Sequence, residues 1–180
     1  MKRVLIFALA LLLFSCAQRS QFERIEFQAP SLPDAALQPY LEGVERMGVV
    51  CVTNIEPFRE LDVEKVMALL SNATLRGLSR LPETTIVSQD EITLKLNTVH
   101  FDSTSVYTNT VRAALRDTLA LDAIVFVELR HLQARMMPMT PTPYGMSPNP
   151  SMDMSVDLQV SLINLHTDQV WKRGGSERNL

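Results

Sequence analysis

Residues 121–135, LDAIVFVELRHLQAR, decide the fold. Ala123 to Leu129 is short, apolar and rich in β-branched side chains, the composition of a strand covered on both faces. It runs on as RHLQAR with no glycine or proline to stop it. Residues 155–162, SVDLQVSL, behave differently. Val156, Leu158, Val160 and Leu162 alternate with Ser155, Asp157, Gln159 and Ser161, the period of an antiparallel strand with one face buried and one wet. A chain that holds both kinds of strand needs a mixed sheet.

Upstream, Val44 to Ile55 (VERMGVVCVTNI) is a second buried strand, ended by Pro57. Asp62 can cap a helix, with Glu64 in a first turn where the helix dipole favours negative charge. Behind it Val63, Val66, Met67, Leu70, Leu78 and Leu81 recur at helical spacing, until Gly77 and Pro82 limit the run. Thr84 to Ser88 (TTIVS) reads as a short strand. Residues 90–105 are ambiguous, because Ile92-Thr93-Leu94-Lys95-Leu96 alternates among turn residues. Thr108 or Asn109 can cap a second helix whose face is Val111, Ala114, Leu115, Thr118 and Leu119. At the other end, His166-Thr167-Asp168 turns the chain into a last strand, Val170-Trp171-Lys172. Gly174-Gly175 and SERNL read as a tail. The expected fold is α/β (α+β) in the order β-α-β-α-β-β-β. The β-α-β crossover implies a parallel pair, and the C-terminal strands form an antiparallel meander. Residues 41–175 make the single domain and 176–180 the tail.

The front of the chain carries an address. Lys2 and Arg3 precede an unbroken apolar run, Val4 to Phe14, too short to span about 30 Å of hydrocarbon and of the length of a signal-peptide core. The run ends Leu13-Phe14-Ser15-Cys16, which resembles the bacterial lipobox. That resemblance implies cleavage before Cys16 and acylation of its thiol and new amino group. One acyl chain anchors marginally and two or more stably, so the modified Cys16 would hold the protein at a membrane. Ala17 and Gln18 follow, and the lack of Asp directly after Cys16 favours the outer membrane, with the body facing the periplasm. From Cys16 to residue 40 the prolines 30, 33 and 39 mark a tether, its first 20 or so residues reaching at most about 70 Å.

Composition excludes several classes. Hydrophobic residues at 46% suffice for a core, and a formal net charge of −3 leaves no basic footprint for nucleic acid. Loss of Lys2 and Arg3 with the leader would take that charge to −5. Two cysteines cannot build a disulfide framework, and Cys51 within Val49-Val50-Cys51-Val52 reads as a small buried hydrophobe. No nucleophile elbow, phosphate loop or metal-ligand spacing occurs, and His100, His131 and His166 each stand alone. No catalytic residue, cofactor or metal is expected. The chemistry-bearing segment is instead residues 136–154, MMPMTPTPYGMSPNPSMDM, with six of the nine methionines and five of the ten prolines. Methionine is the adaptable apolar residue of binding surfaces. A partner-binding loop is expected there, formed by Met136, Met137, Met139, Tyr144, Met146, Met152 and Met154. Thioether pairs such as Met137/Met139 and Met152/Met154 also suit Cu(I), the basis of a copper-handling alternative.

The succession of Val52-Thr53-Asn54-Ile55, a long helix, Thr85-Ile86-Val87-Ser88-Gln89, Leu121 to Leu129, Val156 to Asn164, and Thr167-Asp168-Gln169-Val170-Trp171 is similar to a lipoprotein superfamily. It includes the curli secretion lipoprotein, activator lipoproteins of penicillin-binding proteins, and the amino-terminal domain of the Tol-Pal propeller protein. The resemblance covers about residues 44–173. It implies a non-enzymatic lipid-anchored protein that binds or regulates another envelope protein. A secretion channel of the curli type is the alternative. Such a channel requires a second membrane-inserting segment, for which Ile92–Phe101 is the remaining candidate.

Overall fold

Strand β1 (Arg46–Thr53) is the second strand of a five-stranded sheet of order β2 (Thr85–Val87), β1, β3 (Ala123–Met136), β6 (Met152–Asn164), β7 (Val170–Arg178), with β3 at its centre. The computed structural model describes residues 35–58, 61–136, 141–143, 145–146 and 152–178. The leader, Cys16 and the tether as far as residue 34 lie outside them. β1 pairs in parallel with β2 (Thr85–Val87) and with β3 (Ala123–Met136), whose register runs from Met47↔Ala123 to Thr53↔Leu129. β3 pairs antiparallel with β6 (Met152–Asn164), and β6 with β7 (Val170–Arg178). Between β3 and β6, Pro141–Thr142 (β4) and Gly145–Met146 (β5) form a small separate hairpin. The mixed sheet and its antiparallel meander are those expected from the sequence.

Helices cover both faces. On one side α1 (Gln38–Leu41) and α2 (Val63–Leu78) pack against Met47, Val49 and Cys51 of β1 and Val125, Val127 and Leu129 of β3. On the other side α3 (Gln89–Lys95) and α4 (Asn109–Leu119) pack on Val50, Val52, Ile124, Phe126 and Ile163. Successive strand residues point to opposite faces, so Met47 to Val52 of β1 and Ala123 to Val127 of β3 carry no polar side chain and serve two cores. Asp62 caps α2 by accepting the Lys65 N–H, as expected, and Thr108 caps α4 through Val111.

Three departures have physical causes. Residues 89–95, at the start of the stretch the sequence leaves ambiguous, form a helix, because Ser88 caps it through the Glu91 N–H and Glu91 pairs with Lys95 at 2.9 Å. Ile92 and Leu96, four residues apart, then fall on the buried face, and Leu94 is left 80% exposed. Gly48 lets this helix approach, since a Cβ there would lie 2.7 Å from Leu121 Cδ1 and 3.0 Å from Ile92 Cδ1. β7 continues through Gly174-Gly175 to Arg178 in one unbroken register with β6, where a tail was expected. The ladder supplies every second backbone group of those glycines with a partner, which offsets their poor strand propensity. Finally, α1 belongs to the body and not to the tether, because Leu37, Tyr40 and Leu41 pack on the core.

Candidate functional site

β3 outruns the body. Its last pairing with β1 is at Leu129, yet it continues to Met136 with β6 as its one strand partner among the described residues. The register slips between Leu129 and His131, leaving Arg130 as an extra residue, a β-bulge. The bulge changes which parity faces the core. Before it the odd residues Val125, Val127 and Leu129 lie on the α2 side; after it Leu132 and Ala134 do. Without that extra residue Leu132 would turn to the opposite face. Leu132, Met154 and Val156 are thereby buried together on one side of the projecting ribbon.

The other side of the ribbon is polar and open. His131, Gln133 and Arg135 stand opposite Asp157, Ser155 and Asp153, and Ser176 of β7 stands beside Asp157. Together they line a cleft of about 630 Å³. Opposite charges face each other at the Arg135–Asp153 rung, and the other two rungs are polar, so the surface suits a polar segment that offers both signs. At the body end the surface is fixed by Tyr107, whose hydroxyl lies 2.9 Å from the buried Ser161 hydroxyl. Its ring meets Phe126 edge to face and carries the Lys172 ammonium 4.1 Å from its centre. Arg130 in turn pairs with Glu128 at 3.1 Å, holding the bulge residue back along its own strand.

Two further groups are structural. Asp122 Oδ2 accepts the N–H groups of Glu45 and Arg46, and Oδ1 lies 2.9 Å from His166 Nε2. One carboxylate thus ties the starts of β1 and β3 to the β6–β7 turn. Burial pushes its pKa up, but the hydrogen bonds from His166, Arg46 and Glu45 together outweigh that and hold it below the ordinary aspartate value. Cys51 is buried, and desolvation pushes its thiol up to about 11 against small opposing hydrogen bonds from Ser71 and Thr74. It stays a protonated, inert thiol at neutral pH.

The residues singled out in the sequence fall in different places. Cys16, Met137, Met139 and Tyr144 lie outside the described residues. The backbone sets Met136 opposite Met152 at the last rung of the ribbon and Met146 opposite Pro141 in the small hairpin. Met154 is 4% exposed and belongs to the core, so its side chain does not join a loop surface. The segment 92–101, considered as a membrane hairpin, is instead a helix end and a turn whose Ile92 and Leu96 are buried against the sheet. The polar row of the ribbon was not anticipated. Its signal is present in the sequence, as His131, Gln133 and Arg135 alternate with Leu132 and Ala134, but the bulge at Arg130 breaks the phase.

The class defined by this architecture is a mixed five-stranded sheet, helices on both faces, from which a β-ribbon projects. No protein-family model and no curated protein matches the chain. Among solved structures it is similar to lipoprotein GNA1162 from Neisseria meningitidis, with a TM-score of 0.50 at 14% identity over 74% of this chain and 81% of that one. The hypothetical protein CT253 from Chlamydia trachomatis gives 0.45 at 12% identity, over 76% and 73%. The LpoB C-terminal domain from Salmonella enterica gives 0.40 at 14%, over 78% and 91%. The likeness to the Neisseria lipoprotein is one of fold.

Proposed function

We propose that this chain is a lipid-anchored protein of the bacterial outer membrane, its body facing the periplasm, that binds or regulates another envelope protein and carries out no chemistry itself. The observation that carries the reading is the ribbon, which extends past Leu129 with one apolar face against the body and one polar face open to solvent. Support for the anchor comes from Leu13-Phe14-Ser15-Cys16 after an apolar run, and from a fold shared with a lipoprotein. Ribbon and anchor act together in this reading. The lipid fixes the body at the membrane, and the ribbon with its Met/Pro-rich tip presents the recognition surface. Among the families the sequence resembles, the activators of penicillin-binding proteins fit this division of labour. A curli-type channel would require the segment 92–101 to leave the body, where Ile92 and Leu96 are buried against the sheet.

Cys16→Ser should move the protein from the membrane fraction to the soluble one. Deleting residues 138–150 should leave the thermal midpoint within a few degrees and abolish capture of the partner from cross-linked envelopes. A soluble wild type, or capture undiminished by the deletion, would refute the reading.

A further inference from the structure

On the α2 side of the sheet, β6 and β7 hold an apolar strip that the body covers only in part. Leu158, Val160 and Trp171 pack against the core cluster of that side, yet each is only half-buried, whereas Val125, Val127 and Leu129 of β3 on the same face are buried. Gly175 stands opposite Leu158 in the ladder and so turns toward the same face. A Cβ placed on it would meet no atom of the described residues within 4 Å. The strip is open there. α1 rests on β6, and Leu37, Tyr40 and Leu41 join the same cluster, likewise half-buried.

The chain that leads into α1 carries side chains that fit this strip. Residues 21–28, QFERIEFQ, bring Phe22, Ile25 and Phe27 close together. From Phe27 to Ala35, where the described residues begin, the chain spans at most about 28 Å when extended. The trio is thus confined to the neighbourhood of α1 and β6, and so short a connection makes its docking intramolecular, at about millimolar effective concentration. Contact would take apolar surface of both partners out of water. Glu23 and Glu26 against the single Arg24 disfavour an anionic lipid surface as the alternative seat. We infer that Phe22, Ile25 and Phe27 dock on the strip of Leu158, Val160 and Trp171, so that only the first part of the tether stays free. From Cys16 to Phe22 the chain reaches at most about 20 Å, against about 65 Å from Cys16 to Ala35. A docked tether therefore keeps the body close to its lipid, and the ribbon meets its partner near the membrane surface. The docking needs neither the lipid nor that partner, whereas the height it sets rests on acylation of Cys16.

Trp171 is the chain's one tryptophan, so its emission reads the strip directly. The full chain in detergent is compared with a variant that combines Phe22→Ser, Ile25→Ser and Phe27→Ser. The variant's emission should move to the red by several nanometres and its quenching by acrylamide should rise, with unchanged far-ultraviolet circular dichroism. Trypsin should cut the wild type after Arg19 about tenfold faster than after Arg24, and the variant equally at both, since a docked segment is cleaved only when it opens. Leu94→Ser, which removes the 80% exposed leucine of α3, should alter neither readout. Emission and cleavage left unchanged by the triple substitution would overturn the proposal. A red shift of the wild type on dilution would put a second copy on the strip, and protection of Arg24 that is lost in Cys16→Ser would put the trio in the lipid phase; either result overturns it too. Failure of the anchor reading shows elsewhere, in the fractionation of Cys16→Ser.

Discussion

The body and the ribbon are built from the same two strands and obey different rules. Within the body, β3 from Ala123 to Leu129 is covered on both faces, so Ile124 and Phe126 serve one core while Val125 and Val127 serve the other. Beyond the bulge at Arg130 the strand is covered on one face alone, and its other face is the row His131, Gln133 and Arg135. Six of the seven residues from Ala123 to Leu129 are buried, against Leu132 alone among residues 130–135. Stability should therefore concentrate in the body, where each side chain contributes about 1.5–3 kcal/mol by burial, and recognition in the ribbon, where substitution costs little folding energy.

The sharpest way to break this comparison is a pair of truncations in the same strand. Phe126 is 1% exposed, among the largest fully buried side chains, and it meets Tyr107 edge to face at 6.2 Å. Phe126→Ala should lower unfolding free energy by about 3–5 kcal/mol in urea titration. Gln133→Ala, on the open face of the ribbon, should stay within about 0.5 kcal/mol of wild type. Comparable losses at the two sites would mean that the ribbon is as much part of the cooperative unit as the body.

Asp122 tests how the two are joined, since it ties the starts of β1 and β3 to the turn from which β7 departs. Asp122→Ala should cost about 1.5–3 kcal/mol, the usual range for hydrogen bonds to a charged group. The cost should depend on pH in a defined direction. A carboxylate held below its ordinary pKa contributes stability that is present above the unfolded value, about 4, and is lost as pH falls through the folded value. The gap between wild type and variant in urea midpoint should thus be largest near neutrality and close below pH 4. A gap that widened in acid would show that the carboxylate is not stabilised by these partners.

Much of the body was legible in the sequence because each element carried its own signal. Asp62 and Thr108 cap helices, β1 and β3 read as continuous apolar runs, and Val156 to Leu162 alternates cleanly. Helix α3 stayed ambiguous in the sequence for a local reason. Ile92-Thr93-Leu94-Lys95-Leu96 fits period 2 as well as period 3.6 over so short a span, while the deciding pattern was Ser88 with Glu91 three residues on. β7 was cut short because Gly174-Gly175 has low strand propensity, and only the partner strand β6 rescues it. The ribbon's polar face was hidden by one residue. Arg130 shifts the phase, and no local pattern marks a bulge unless both strands of the pair are aligned. The site was therefore less legible than the fold, since it depends on a register between residues far apart in sequence.

The smallest effect lies in the body and acts in the opposite direction. Ala120 ends α4 with φ 49° and ψ 45°, left-handed values that a side chain disfavours and that glycine adopts at no cost. Its N–H caps the helix by donating to the Leu115 carbonyl, so the conformation is held by the cap and not by chance. Ala120→Gly keeps that hydrogen bond and removes the strain of the Cβ, at the expense of a more flexible unfolded chain. The two terms oppose each other, and the left-handed penalty of about 1–2 kcal/mol exceeds the glycine entropy cost of about 0.5–1. A net gain of about 0.5–1 kcal/mol should appear as a higher thermal midpoint, with ribbon amides from Arg130 to Met136 exchanging hydrogen at unchanged rates. If ribbon exchange slowed in step, the ribbon would open only when the body unfolds, and the separation of stability from recognition along β3 would fail.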